Sequence, residues 1–381
     1  MTTEIAIVGG GVGGTVTANR LLKRLERELA TGAVEITLIS DNPKHIYKPT
    51  FFYVPFGEKE PEDAERPLAD LVNRRVDLIY DRVNMIDTDA KTLDLASNGQ
   101  FGYDYLVVAT GAIPDLESTP GFGPDGDAQH FYDGAAATAL RRELADFDEG
   151  HLVLSVMGTP HVCPAAPVEF TMLADAEFRE RGIRDDVTIT YTYPLPRLHS
   201  VRPVADWAEP RFEERDIQTQ TSFNPETVDN DANVIHSLEG TDLEYDLLVG
   251  IPEFRSGDLI QAAGLGEEWM EVDKHTLESD HAADVYGLGD VTNIPTSKAG
   301  SVAHYAAGTV VDRIAARVRG HEPRARFAGD TICFLEAGME EGSHISFDYD
   351  TDPVVRDQTE FVHWAKFAYN EMYWLTARGL A

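Results

Sequence analysis

The 381-residue chain carries 66 acidic against 32 basic side chains, a net charge of −34, with a sequence pI near 4.5. That excess argues against a nucleic-acid partner, since phosphates are bound through Lys and Arg. Because the acids are spread along a chain that is 43% hydrophobic, a disordered polyacid is excluded as well. The length predicts two or three domains, and the self-repelling surface predicts a salt-loving source. Residues 1–9 lack the basic leader of a signal peptide, and no apolar run reaches the roughly 18 residues of a membrane span. Two cysteines, Cys163 and Cys333, are too few for a structural disulfide framework, and nothing reads as a metal site.

The stretch Glu4–Thr15 reads as strand, glycine turn and helix, with Gly9, Gly11 and Gly14 spaced as G-x-G-x-x-G. A helix over 15–29 and a second strand over 34–40 follow, and Asp41 ends that strand 27 positions after Gly14. Glycines permit close approach of backbone to a pyrophosphate, a helix N-terminus stabilises it, and an acid after the second strand holds a ribose hydroxyl. The order of these features predicts a dinucleotide-binding domain. The aromatic, proline-rich stretch 45–57, which includes Pro49, is either a plain hydrophobic loop or a loop packed beside an isoalloxazine ring. Further strands are expected over 76–83 and 92–95. The run Tyr103-Asp-Tyr-Leu-Val-Val-Ala-Thr-Gly111 is a strand whose Thr110-Gly111 end favours FAD over NAD in this domain.

Residues 112–150 are loop-rich and acidic, with Pro114, Pro120, Gly121, Gly123, Pro124 and Gly126 marking a boundary. A second alternating α/β unit begins at His151, with strands over 152–156, 187–193 and 245–250. Where a second glycine fingerprint would stand, Gly158 is followed by Thr159, Pro160 and His161. This loop is the wrong shape for a pyrophosphate. It carries Cys163 between Pro160, Pro164 and Pro167, which stiffen the backbone. Glu169 opens a helix over 170–181. Cys163 is either a buried structural thiol or a redox thiol whose thiolate the nearby helix start favours. Glu169 is a candidate general acid or base, with an equally good role as a helix N-terminal acid.

The strand 283–290 ends in Gly289-Asp290, either a second FAD contact in which the acid reaches the ribityl chain or a plain Gly-Asp turn. Lys298 precedes a helix over 302–318 and either stabilises an anionic flavin or caps a surface. Cys333 lies in a short apolar strand, where a lone cysteine is usually core. In the tail, Phe361, Trp364, Phe367, Ala368, Met372 and Leu375 recur at helical spacing, joined by Tyr369, Tyr373 and Trp374. This helix docks on its own core or a partner subunit, or lies in a membrane interface.

From end to end the chain resembles the sulfide:quinone oxidoreductases and the flavoprotein subunit of flavocytochrome c sulfide dehydrogenase. The resemblance runs through Ile7–Gly14, Ile36–Asp41, Lys48-Pro-Thr-Phe, Tyr103–Gly111 and Val162-Cys-Pro-Ala-Ala-Pro-Val-Glu-Phe170. It continues through Gly289-Asp290, Lys298, Thr331-Ile-Cys-Phe and Trp364-Ala-Lys-Phe-Ala-Tyr. The cysteine loop and the tail are its specific parts. The resemblance implies an α/β fold of two Rossmann-like dinucleotide-binding domains in three layers, plus a C-terminal membrane-associating segment. The FAD domain would span 1–115 and 276–320, the second Rossmann-like domain 116–275, and the C-terminal segment 321–381. It further implies FAD, a redox pair of Cys163 and Cys333 with Cys333 nearer the flavin, and sulfide and a quinone as substrates. Lys366 would contact a quinone carbonyl, with Phe367 or Tyr369 lining its ring. Peripheral attachment to a membrane, on its cytoplasmic face, and a homo-oligomer are further expectations. Many members have a third cysteine shortly before the second domain; here Gln129-His-Phe-Tyr-Asp133 holds none. A type II NADH:quinone dehydrogenase, disfavoured by the missing second fingerprint, and a non-catalytic FAD-binding protein are the alternatives.

Overall fold

The computed structural model describes residues 2–123, 126 and 128–379; Pro124 of the boundary loop lies outside them. Two parallel sheets organise the chain. The first runs, edge to edge, Val285–Gly287, Tyr105–Val108, Thr3–Val8, Val34–Ser40 and Asp77–Tyr80. Helices Val12–Arg24 and Gly300–Val318 pack on it. Its central strand is apolar on both faces, as burial between helix layers demands. Because all five strands run the same way, the turns after Val8, Val108 and Gly287 emerge at one edge. The helix expected over 15–29 starts earlier and breaks at Leu25, leaving a separate short helix Glu26–Ala30.

The second sheet runs Ile217–Thr221, Val187–Tyr193, Gly150–Val156 and Leu247–Ile251, again all parallel. Its covering helix spans Ala166–Glu180, so it begins four residues before the expected Phe170. Pro167 stands in its first turn, where a missing N–H and a preset φ are tolerated. The prolines that read as a stiff loop are therefore partly the helix start, and Glu169 sits in its first turn rather than ahead of it.

Strands Thr331–Glu336, Gly342–Phe347 and Val354–Val355 form a small antiparallel sheet, and the chain closes with helix Glu360–Thr376. Leu335 and Ile345 of that sheet share one hydrophobic core with Phe170, Leu154 and Tyr191 of the second unit and with Phe51 to Val54 from the first. This shared core draws Cys333 towards the cysteine loop. Among the described residues no helix is long and apolar enough to cross a membrane.

Candidate active site: a cysteine chamber beside a dinucleotide cradle

The glycine turn is built for close approach. A Cβ at Gly9, whose φ is +112°, would stand 2.4 Å from the Ala109 carbonyl oxygen, and one at Gly14 would stand 1.8 Å from the Gly9 carbonyl oxygen. Around Gly11, the residue before the helix, nothing lies within 4 Å of a Cβ position. The helix that follows has no side-chain cap, so its first N–H groups are free to meet an anion. Asp41 is exposed just past the second strand, and Pro49 is exposed in the 3-10 helix Lys48–Tyr53. Thr110 and Gly111 follow the Tyr105–Val108 strand, and Gly289-Asp290 follows Val285–Gly287. Burial raises the Asp290 carboxyl, while Lys298 and Lys48 oppose the shift. Bare backbone at Gly11, uncapped helix N–H groups and acids at two strand ends fit FAD. Lys48, whose charge reaches Asp290, was not singled out by its sequence context.

Lys298 is half-buried, which sets aside the surface-cap reading. Its ammonium donates to the Asp290 carbonyl (2.8 Å) and the Thr292 carbonyl (2.9 Å) and lies 3.3 Å from the centre of the Trp269 ring. Burial lowers its pKa to about 8, against the pull of Asp290. Its own carbonyl accepts the Cys163 N–H at 2.9 Å, so Lys298 joins the Asp290 strand end to the cysteine loop.

Cys163 adopts the left-handed conformation, φ +53°, uncommon for a residue with a Cβ. Its carbonyl accepts from the Ala166 N–H at 2.9 Å. The neighbouring carbonyls are held too, Val162 by the Tyr132 hydroxyl at 3.1 Å and Pro164 by His199 Nε2 at 2.9 Å. Cys333 packs against the same hydrophobic core as Cys163, and its titration couples to Cys163, Glu169 and Lys366. Both cysteines are free. The expected favouring of the Cys163 thiolate by the helix start does not hold. Burial and Glu169 push the thiol up to about 12, outweighing Lys366 and the Ala166 N–H. Burial raises Cys333 as well.

Behind the thiols lies a buried charge cluster. Glu169 accepts a short hydrogen bond from the Lys366 ammonium and another, 2.7 Å, from the Glu336 backbone N–H. Glu336, fully buried, accepts from the Tyr53 hydroxyl at 2.8 Å, pairs with His363 Nδ1 at 3.0 Å, and lies 3.5 Å from the Lys366 ammonium. Burial raises Glu169, with Glu336 adding and Lys366 opposing. Burial works against the Lys366 charge, but Glu169, Tyr53 and Glu336 overcome it and raise its pKa. The quinone candidates diverge accordingly. Lys366 points into this cluster, the Phe367 ring lies 5.0 Å from Tyr53, and Tyr369 faces Phe334 at 5.5 Å on the other flank, because neighbours on a helix are 100° apart. Glu336 and His363 were missed; an acid between Leu335 and Ala337 in an apolar strand was the available signal.

Residues 3–308 match the pyridine nucleotide-disulphide oxidoreductase family, and the chain belongs to that family. It is a FAD-dependent flavoprotein. The mitochondrial sulfide:quinone oxidoreductase of Mus musculus is 27% identical over 363 residues, covering 92% of this chain and 79% of the relative. The sulfide-quinone reductase of Aquifex aeolicus is 26% identical over 399 residues, covering 96% and 88%. The crystal structure of the Aquifex aeolicus sulfide:quinone oxidoreductase superposes with a TM-score of 0.87 at 23% identity, covering 99% of this chain and 92% of that one. A type II NADH:quinone oxidoreductase of Staphylococcus epidermidis matches at 31% over 131 residues only, 34% of this chain and 30% of its own length.

Proposed function

We propose that this protein is a sulfide:quinone oxidoreductase that oxidises sulfide to sulfur or polysulfide through Cys163 and Cys333. The observation that carries the reading is that the two cysteines pack against one core, with Lys298 linking the Cys163 loop to the Asp290 strand end. Hydrosulfide attacks one sulfur of a Cys163–Cys333 bridge. A new S–S bond forms as the old one breaks, leaving a persulfide on one cysteine and a thiolate on the other. Re-forming the bridge releases a sulfur atom, a proton and two electrons. FAD, which the Gly9–Gly14 turn and the strand ends at Thr110 and Asp290 would hold, would supply the two-electron acceptor between sulfide and quinone. Glu169, its proton affinity raised by burial, takes the proton released beside Cys163, and Lys366 holds its carboxylate in place.

The quinone sits beside the C-terminal helix, its ring lined by Phe367 on one flank or by Tyr369 on the other, with Lys366 turned inward onto Glu169. That helix displays Phe361 (80% exposed), Trp364 (61%), Met372 and Leu375 along one face. Such a stripe suits attachment to the bilayer that dissolves the quinone, and we place the attachment on the cytoplasmic face. A dehydrogenase acting on NADH is disfavoured by more than the missing glycines. Glu253 packs on Gly158, with its carboxylate 3.1 Å from a Cβ position there, and an acid at this turn repels a diphosphate. Anaerobic titration of the flavin with sulfide, and separately with NADH, tests the reading: sulfide bleaches the flavin and NADH does not. Bleaching by NADH alone would transfer the protein to the dehydrogenases.

A further inference from the structure

The peptide between Gly10 and Gly11 is held from behind by His45, which is in turn held by Tyr373, 328 positions further along the chain. His45 is fully buried, and burial lowers its pKa to about 4, so the ring is neutral. Its Nδ1 lies 2.8 Å from the Gly10 carbonyl oxygen. A carbonyl only accepts, so Nδ1 carries the hydrogen, and Nε2 is left as an acceptor. The hydroxyl of Tyr373, itself buried in the C-terminal helix, donates to that Nε2 at 2.7 Å. Thr15 adds a second donor to the same Gly10 carbonyl at 3.1 Å. In a trans peptide the carbonyl oxygen and the next N–H point in opposite directions. Holding the Gly10 oxygen inward therefore aims the Gly11 N–H outward, where a Cβ position finds no atom within 4 Å. No acceptor among the described residues takes that N–H.

We infer that Tyr373 and His45 are positioning residues for the cofactor: the C-terminal helix, through Tyr373 and then His45, orients the Gly11 N–H towards the diphosphate of FAD. The helix that carries the exposed apolar stripe is thus also a distant part of the cofactor site. Tyr373 fixes the imidazole tautomer and His45 fixes the peptide plane. Without the tyrosine hydroxyl, Nε2 is a buried acceptor with no partner, and the ring is free to give up its Nδ1 hydrogen and turn. The same helix has a second anchor that does not touch the glycine loop. The Tyr47 hydroxyl donates to Asn370 Oδ1 at 2.9 Å, and the Tyr47 ring stacks on Tyr373 at 4.0 Å.

FAD release from the holoprotein, followed by flavin fluorescence after dilution, tests this together with the melting temperature of each variant. Tyr373→Phe should release FAD about tenfold faster, the worth of one buried hydrogen bond, and His45→Ala faster still. His45→Asn, whose amide nitrogen takes the place of Nδ1, should restore part of the retention lost in His45→Ala. Tyr47→Phe should lower the melting temperature as Tyr373→Phe does but leave FAD release unchanged. The inference is overturned if Tyr373→Phe keeps FAD as firmly as the wild type, or if Tyr47→Phe loosens it equally, since simple anchoring of the helix then accounts for everything. If His45→Ala does not fold, the two tyrosine variants still decide. A wild-type protein isolated without FAD counts against the cofactor itself and is a separate result.

Discussion

The two parallel units begin alike and diverge at their first turn. In the first, three residues (9–11) separate strand Thr3–Val8 from helix Val12–Arg24; in the second, nine (157–165) separate strand Gly150–Val156 from helix Ala166–Glu180. The short turn offers bare backbone and an uncapped helix start. The long one offers a side chain, Cys163, set in a left-handed conformation and held through the carbonyls on either side of it. One position in the fold presents two chemistries: free backbone donors in the first unit and, in the second, the thiol that we propose performs exchange. What separates them is the number of residues between strand and helix and which side chains reach back to fix the loop.

The largest effect expected from breaking this comparison falls on the thiols. Cys163→Ser and Cys333→Ser should each slow sulfide-driven flavin reduction by at least about a thousandfold while FAD stays bound, and the double variant should be no slower, because residues that act as a unit fail together. Two serine variants with near-normal turnover would remove the chamber from the mechanism. Absorbance of the flavin under anaerobic sulfide is the measurement.

Alanine at the two turns gives the next contrast. Gly14→Ala drives its Cβ into the Gly9 carbonyl, a backbone atom that cannot yield, and the protein should be isolated without FAD. Gly158→Ala meets the Glu253 Cβ at 2.8 Å, a clash confined to the second unit, and should keep FAD. Flavin content per mole of protein reads both outcomes.

Glu169 sharpens the comparison from the acid–base side. Its pKa is raised by burial, so the rate of flavin reduction should fall as pH drops through a value above the ordinary carboxylate range near 4.3. Glu169→Gln should cost roughly a hundredfold and abolish that limb of the pH profile. A variant that keeps the limb places the titrating group elsewhere in the cluster. The smallest effect concerns the shared surface: with a net charge of −34, the melting temperature should rise from dilute buffer to molar salt as counterions screen self-repulsion. A flat or falling curve would set the charge aside as a source of salt dependence.

Much of this was legible in the chain itself. The glycine spacing, the acids at strand ends and the Thr110-Gly111 turn announce the cofactor because backbone geometry and helix dipoles are local properties. Cys163 and the absent second fingerprint are local for the same reason. What only the tertiary structure decided is how distant segments share a space. Cys333 packs on the same core as Cys163 because Leu335 and Ile345 are buried in the core of the second unit. Lys366 neutralises Glu169 from a helix almost two hundred residues away. Burial, which no short stretch of sequence reports, outweighs the helix start and raises the pKa of both thiols. The two orphans of the sequence reading, Glu336 and His363, acquire meaning only when the last sheet and the last helix close over them. A charge is tolerated in an apolar interior when its partners arrive with the fold, and those partners lie far along the chain.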